Sequence, residues 1–143
     1  MMKRINITTL GNRWHDTDEV LLHVAFQLLI DFVEKEHPDQ TIDWSTDVVH
    51  RQAWKEIKRL YRWWKHIRPN RLSPLEDKNI RRPPFKKKNV IGAKYIEIIQ
   101  PDREKYADYY KALRRHIKLA EKWYGEDQSN LHKLIEIRKF LWT

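Results

Sequence analysis

The amino-acid sequence predicts an all-α fold, a compact bundle of about four helices with a basic, proline-rich loop between the second and the third. Two observations lead to this prediction. Apolar residues recur every three or four positions in four segments, and prolines interrupt the chain between the second and third of them, at residues 69, 74, 83 and 84. With 143 residues and 41% hydrophobic content, the chain fits one domain over residues 1–143, with an irregular basic insertion at 68–100.

The first helix is predicted over residues 16–36. Its interior, at 20–30, is apolar on most sides, which is typical of a central helix. The polar exceptions follow one stripe at a spacing of three or four residues: Asp16, Glu19, His23, Gln27, Asp31 and Glu34. His37 and Pro38 end the helix, because the residue before a proline is biased away from helical geometry.

The second helix is predicted over residues 46–67. Its core-facing stripe recurs at helical spacing from Val49 to Ile67 and includes Trp64. Trp63 is rotated about 100° from Trp64, so we expect that it does not face fully inward. The outer face is basic, and Pro69 stops the helix.

The third helix is predicted over residues 102–124 and the last over 127–142. Gly125 separates them, either as the residue that ends the third helix or as a kink that joins the two. Before them, residues 90–99 are rich in β-branched side chains. Since a single strand has no partner, we predict an ordered loop or an edge element there.

Positive charge is concentrated in the middle of the chain. The formal net charge is +9, and residues 51–94 hold fifteen Lys and Arg against three Asp and Glu. A field of this kind attracts phosphate backbones or acidic protein surfaces. The leading hypothesis is therefore a non-enzymatic protein that docks a polyanion, and nucleic acid is the expected partner.

The expected contact surface combines the basic face of the second helix with the tract at 81–88. Lys and Arg would contact phosphates, whereas Trp63 and Phe85 are the candidates for stacking on bases. The proposed phosphate contacts are Arg51, Lys55, Arg59, Arg62, Arg81, Arg82, Lys86, Lys87 and Lys88.

Two alternatives stay open. In the first, the protein is an effector that binds an acidic surface of another protein. In the second, it is a metal-dependent phosphohydrolase whose ligands come from the first helix: Asp16, Glu19, His23, Asp31 and Glu34.

The polar stripe of the first helix also has a purely structural interpretation. His23 and Gln27 would be buried groups that hydrogen-bond a neighbouring helix or loop. Asp31 and Glu34 would pair with Lys or Arg. We favour this interpretation, because paired carboxylate ligands usually come from facing helices and not from one.

Several classes are disfavoured by composition. The chain has no Cys and three Gly, so thiolate sites, phosphate-binding glycine loops and nucleophile elbows are not expected, and no cofactor is predicted. We also expect no membrane-spanning segment and no signal peptide.

Five segments are distinctive when taken together: Asp31–Glu36, Tyr61–Trp64, Arg68–Arg71, Glu121–Asp127 and Ile137–Thr143. In this order they resemble segments of small proteins of tailed bacteriophages, a group without an established activity. The resemblance covers most of the chain except residues 72–100. It implies a phage origin and action in the cytoplasm of the host bacterium, and it implies no activity. With this origin, the acidic partner of the first alternative would be a protein of the host or of the phage.

Overall fold

The computed structural model describes residues 4–92 and 94–142 of the chain. Over these residues the protein is mostly helical, with four α-helices and one two-stranded sheet. The helices are α1 (Thr17–Lys35), α2 (Pro38–Thr41), α3 (Val48–Arg62) and α4 (Ala107–Glu136), and the strands are β1 (Lys87–Asn89) and β2 (Ile96–Ile98). A π-helical turn, Trp63–Ile67, extends α3, and short 3₁₀ turns occupy Arg68–Asn70, Pro74–Glu76 and Arg138–Phe140.

The described residues divide into two compact units. The first comprises residues 4–71 and 124–142, and the second is Leu72–Trp123. The first unit therefore contains α1, α2, α3 and the C-terminal part of α4. The second contains the hairpin of β1 and β2 together with the N-terminal part of α4.

The core of the first unit forms between α1 and α3. Phe26 and Leu29 from α1 and Ile57 and Leu60 from α3 are completely buried. Leu134, from the C-terminal part of α4, belongs to the same core. These residues recur at helical spacing along each segment, which is why each helix buries one continuous stripe.

Two adjacent tryptophans extend this core at the π-helical turn. The ring of Trp64 stacks on Phe26, with centroids 4.5 Å apart, and Trp63 lies against the same phenylalanine at 5.3 Å. The expectation that Trp63 does not face fully inward is wrong, because only 4% of it is exposed. The wider π-helical turn and the large ring area let both side chains reach the core.

The helical content predicted from the sequence is confirmed, with three differences in detail. A short helix that was not predicted, α2, begins at Pro38, where the first helix was expected to end. The third and fourth predicted helices are one helix, α4, which continues through Gly125. The insertion predicted at 68–100 is not entirely irregular, because β1 and β2 pair there as an antiparallel hairpin. The pairing partner of Ile96–Ile98 is Lys87–Asn89. This strand was not predicted, because lysine and asparagine are uncommon in strands.

Candidate functional site

The second unit carries most of the net positive charge. Leu72–Trp123 contains fourteen Lys and Arg against seven Asp and Glu, a difference of +7 from a chain total of +9. No ion pair joins two described residues of this unit, whereas the first unit contains several, including Arg68 with Asp127 and Lys65 with Glu34. The net charge of +7 in the second unit is therefore not neutralised by ion pairs between its described residues, and a net positive field remains to attract an anionic ligand.

One face of α4 presents a stripe of four exposed cations in this unit. They are spaced at i, i+4, i+7 and i+11, so they fall within about 60° of the helix circumference at 3.6 residues per turn. Sequence analysis missed this stripe, although its spacing is visible in the sequence. We call Lys111, Arg115, Lys118 and Lys122 the α4 basic stripe.

The hairpin is the second basic element of the unit. In its register, Lys87 lies opposite Ile98 and Lys88 opposite Glu97. The backbone N–H of Ile99 donates to the carbonyl oxygen of Lys86 at 3.0 Å, which continues the pairing by one position. In the connection between the strands, Gly92 has φ of 80°, a left-handed conformation that glycine adopts without a steric penalty.

Aromatic rings are exposed beside the hairpin lysines. Phe85, directly before Lys86, is 76% exposed, and Tyr95, directly before β2, is 67% exposed. Every residue of both strands is exposed as well. The hairpin thus presents apolar rings and ammonium groups together on a surface that the described part of the second unit does not cover.

Tyr106 lies near the base of the hairpin, in a cleft that Lys86 and Ile99 also line. This side chain is buried, and its ring lies under the guanidinium of Arg81 at 5.8 Å and under the ammonium of Lys105 at 5.6 Å. A cleft of about 240 Å³ opens beside it, lined by Lys86 and Lys105 among others. Cation–π contacts leave the charges of both cations in place, so Arg81 and Lys105 lie against the ring without being neutralised.

A larger groove of about 510 Å³ lies between residues 72–80 and α4. Lys111 and Arg115 line it, but so do the carboxylates of Asp77 and Asp108. Nearby, the Ser73 hydroxyl and His116 Nδ1 are 2.8 Å apart and fasten the loop to the helix. The groove itself is of mixed charge, so we place the candidate site on the hairpin and on the α4 basic stripe, although Lys111 and Arg115 of that stripe also border the groove.

The basic residues predicted on the second helix lie on α3, in the first unit, and all four are exposed. Two of them are already engaged: Arg51 donates to the Ser45 carbonyl oxygen, and Arg59 binds the carboxylate of Glu56. Lys55 and Arg62 form no hydrogen bond or ion pair with another described residue. The predicted surface thus draws on both units, with Arg81, Arg82, Phe85 and Lys86–Lys88 exposed in the second.

Trp63 does not fit the stacking role predicted for it. Its ring is buried, and its Nε1–H donates to the Glu126 carboxylate of α4. A ring enclosed in this way offers no free face to a base. Phe85, the other predicted stacking residue, is exposed as that role requires.

The polar stripe of α1 is divided among separate structural contacts. The prediction that His23 and Gln27 bind a neighbouring segment is confirmed, because His23 Nδ1 lies 2.6 Å from the Thr9 hydroxyl and Gln27 Oε1 accepts from Thr8. Burial lowers the pKa of His23, and the positive charge of Arg68 lowers it further.

The carboxylates of the same stripe are paired with cations. Asp31 is buried and binds Lys35 at 2.8 Å, and Glu34 binds Lys65 at 2.6 Å. Hydrogen bonds from Lys65 and Tyr61 lower the pKa of Glu34. The ion-pair prediction for Asp31 and Glu34 is therefore confirmed, although Lys35 comes from α1 itself.

The residues of the metal hypothesis do not come together as one site. Glu19 binds His15, with 2.9 Å between Oε2 and Nδ1, and lies 3.5 Å from Arg13. Asp16 precedes α1 and makes no capping bond with its side chain. Within residues 4–92 and 94–142, no group of three His, Asp or Glu side chains is arranged to hold a metal ion.

Comparisons with protein-family models, curated proteins and solved structures found no significant match to this chain. Among the described helices, none combines the length and the apolar character that crossing a bilayer requires.

Proposed function

We propose that the protein binds nucleic acid without catalysing a reaction, mainly through the hairpin and the α4 basic stripe. One observation carries the proposal: the second unit holds fourteen cationic side chains against seven acidic ones, and no ion pair joins its described residues. Maintaining so many like charges without ion-pair partners costs stability, and a polyanionic ligand offsets that cost by charge neutralisation.

The exposed basic side chains of α3 are proposed as additional phosphate contacts, above all Lys55 and Arg62. None of the described helices shows a pattern of base-reading side chains, so we expect weak sequence preference. The resemblance to small proteins of tailed bacteriophages supports a phage origin, and with it a site of action in the cytoplasm of the host bacterium.

Salt dependence of binding tests this proposal. Fluorescence anisotropy with a labelled oligonucleotide should show affinity that falls on the order of a thousandfold between about 50 and 200 mM salt, if roughly six phosphates are contacted. A flat salt profile would contradict the proposal. So would equally tight binding to polyglutamate, because an acidic polypeptide would then be an equivalent partner.

Paired charge variants locate the surface. Lys118→Gln with Lys122→Gln should weaken binding and reduce the slope of log K against log salt by about two phosphate contacts. Arg138→Gln with Lys139→Gln removes two exposed charges from the first unit, neither of which forms an ion pair with a described residue, and serves as the matched control. Equal losses from both pairs would show that net charge alone, and not the α4 basic stripe, governs binding.

A further inference from the structure

We infer that the hairpin selects unpaired nucleotides, so that the preferred ligand is single-stranded nucleic acid. This inference rests on the proposed function and specifies its substrate class. Its basis is the juxtaposition of two exposed rings, Phe85 and Tyr95, with the lysines of one exposed hairpin.

The rings supply surfaces that bases can cover. Large aromatic side chains are costly to expose to water, and a stacked base removes much of that exposed area. The faces of bases are accessible only where the bases are unpaired or unstacked. Both rings lie just outside the strands, Phe85 two residues before β1 and Tyr95 directly before β2, and both are exposed.

The lysines supply the accompanying phosphate contacts. Successive side chains of a strand point to opposite faces, so Lys86 and Lys88 share one face of the hairpin while Lys87 lies on the other. Residues 81–99 contain six Lys and Arg and one acidic residue, Glu97. A backbone running along the hairpin therefore meets positive charge on either face.

A two-stranded ribbon can also enter the major groove of a duplex, so this alternative has to be weighed. The strand residues Ile96 and Ile98 are exposed on the same face as Lys87 and Asn89. In a duplex groove, the face with these two isoleucines would meet polar base edges and phosphates. Against unpaired bases they face apolar ring surfaces, which is the more favourable match.

The test compares strands of the same sequence. Anisotropy titrations of the full chain use single-stranded DNA, single-stranded RNA and the DNA duplex at one salt concentration. We expect both single strands to bind more tightly than the duplex. The ratio of the affinities for single-stranded DNA and single-stranded RNA shows which of the two is the preferred ligand. Phe85→Ala and Tyr95→Ala should each weaken single-strand binding on the order of tenfold and leave duplex binding unchanged.

The control variants remain on the same hairpin. Ile91→Ala removes a fully exposed aliphatic side chain from the connection and should change nothing, whereas Tyr95→Phe keeps the ring and should retain binding. Circular dichroism verifies that each variant keeps its helical content. Equal affinity for strand and duplex, or ring variants without effect, would overturn this inference and leave the proposed function standing. Failure to bind any nucleic acid would overturn both.

Discussion

Arg68 forms a two-point ion pair with Asp127 within the first unit. Its Nε donates to Oδ1 at 3.1 Å and its Nη2 donates to Oδ2 at 3.0 Å. The guanidinium also lies 4.8 Å from the centroid of the Trp64 ring. This arrangement joins the turn after α3 to the C-terminal part of α4, and therefore connects segments that are distant in the sequence.

Breaking this pair should destabilise the protein. The two side chains are only 23% and 16% exposed, so Asp127→Asn leaves the cation of Arg68 poorly compensated and also removes the ion pair of Arg71 with Asp127. We expect a loss of about 1–3 kcal/mol in the free energy of unfolding, measured by urea denaturation.

An exposed pair is the control for that experiment. Glu136→Gln breaks the ion pair with Lys133. Its N–O distance of 3.1 Å is similar, but both side chains are exposed, so the free energy of unfolding should fall by less than about 0.5 kcal/mol. Equal losses from the two variants would contradict a special role for the Arg68 pair.

Trp63 is predicted to matter for stability and not for binding. Trp63→Phe keeps an aromatic ring beside Phe26 but removes the N–H that donates to Glu126, and leaves that carboxylate less satisfied. We expect an unfolding free energy lower by about 1–3 kcal/mol in denaturant titrations. Trp14→Phe, at an exposed position, should have little effect.

Nucleic-acid affinity distinguishes the two roles considered for Trp63. At a temperature where Trp63→Phe and Trp63→Leu are both folded, each should bind an oligonucleotide as the parent protein does. Loss of binding in the leucine variant alone would restore the stacking role that burial of the ring argues against.

Helix positions were predictable from the sequence because their apolar residues repeat at helical spacing. The expected ranges for the first two helices agree closely with Thr17–Lys35 and with Val48–Arg62 plus its π-helical turn. The continuity of α4 through Gly125 was left open, since glycine costs a helix only about 1 kcal/mol and tertiary contacts readily override that.

The candidate site was less accessible to sequence reasoning. Total charge identified the basic middle of the chain, but ion pairing decides which of those charges remain available. Arg59 lies against Glu56 three residues away, a pairing visible as an i, i+3 spacing, whereas burial of Trp63 depends on contacts with Phe26 and Glu126. Such long-range contacts leave no local pattern in the sequence.

The stability of the protein should fall in mild acid because of His23. Burial lowers its pKa below the ordinary value of 6.5, so below that pH the unfolded chain takes up a proton that the folded chain resists. Hydrogen bonds to Glu19 and to the Gly11 carbonyl raise the pKa of His15, which contributes in the opposite direction over the same range.

Comparison with a variant isolates the contribution of His23. His23→Gln retains a polar group near Thr9 but does not titrate, so its stability should decline less than that of the parent between about pH 7 and pH 5. Denaturation curves at the two pH values give this difference directly. Parallel declines in the two proteins would show that His23 takes up its proton equally in both states.

Gly125 offers a stabilising substitution. It lies inside α4, and a methyl group added at its Cα would meet no atom within 4 Å. Alanine should therefore raise the free energy of unfolding by about 0.5–1 kcal/mol, since it restricts the unfolded chain and favours helical geometry. Gly92→Ala is the matched control, because φ of 80° there strains any residue with a Cβ, and it should destabilise. The thermal denaturation midpoint should rise in Gly125→Ala and fall in Gly92→Ala, relative to the parent protein. A lower midpoint in Gly125→Ala would show that α4 requires glycine at this position.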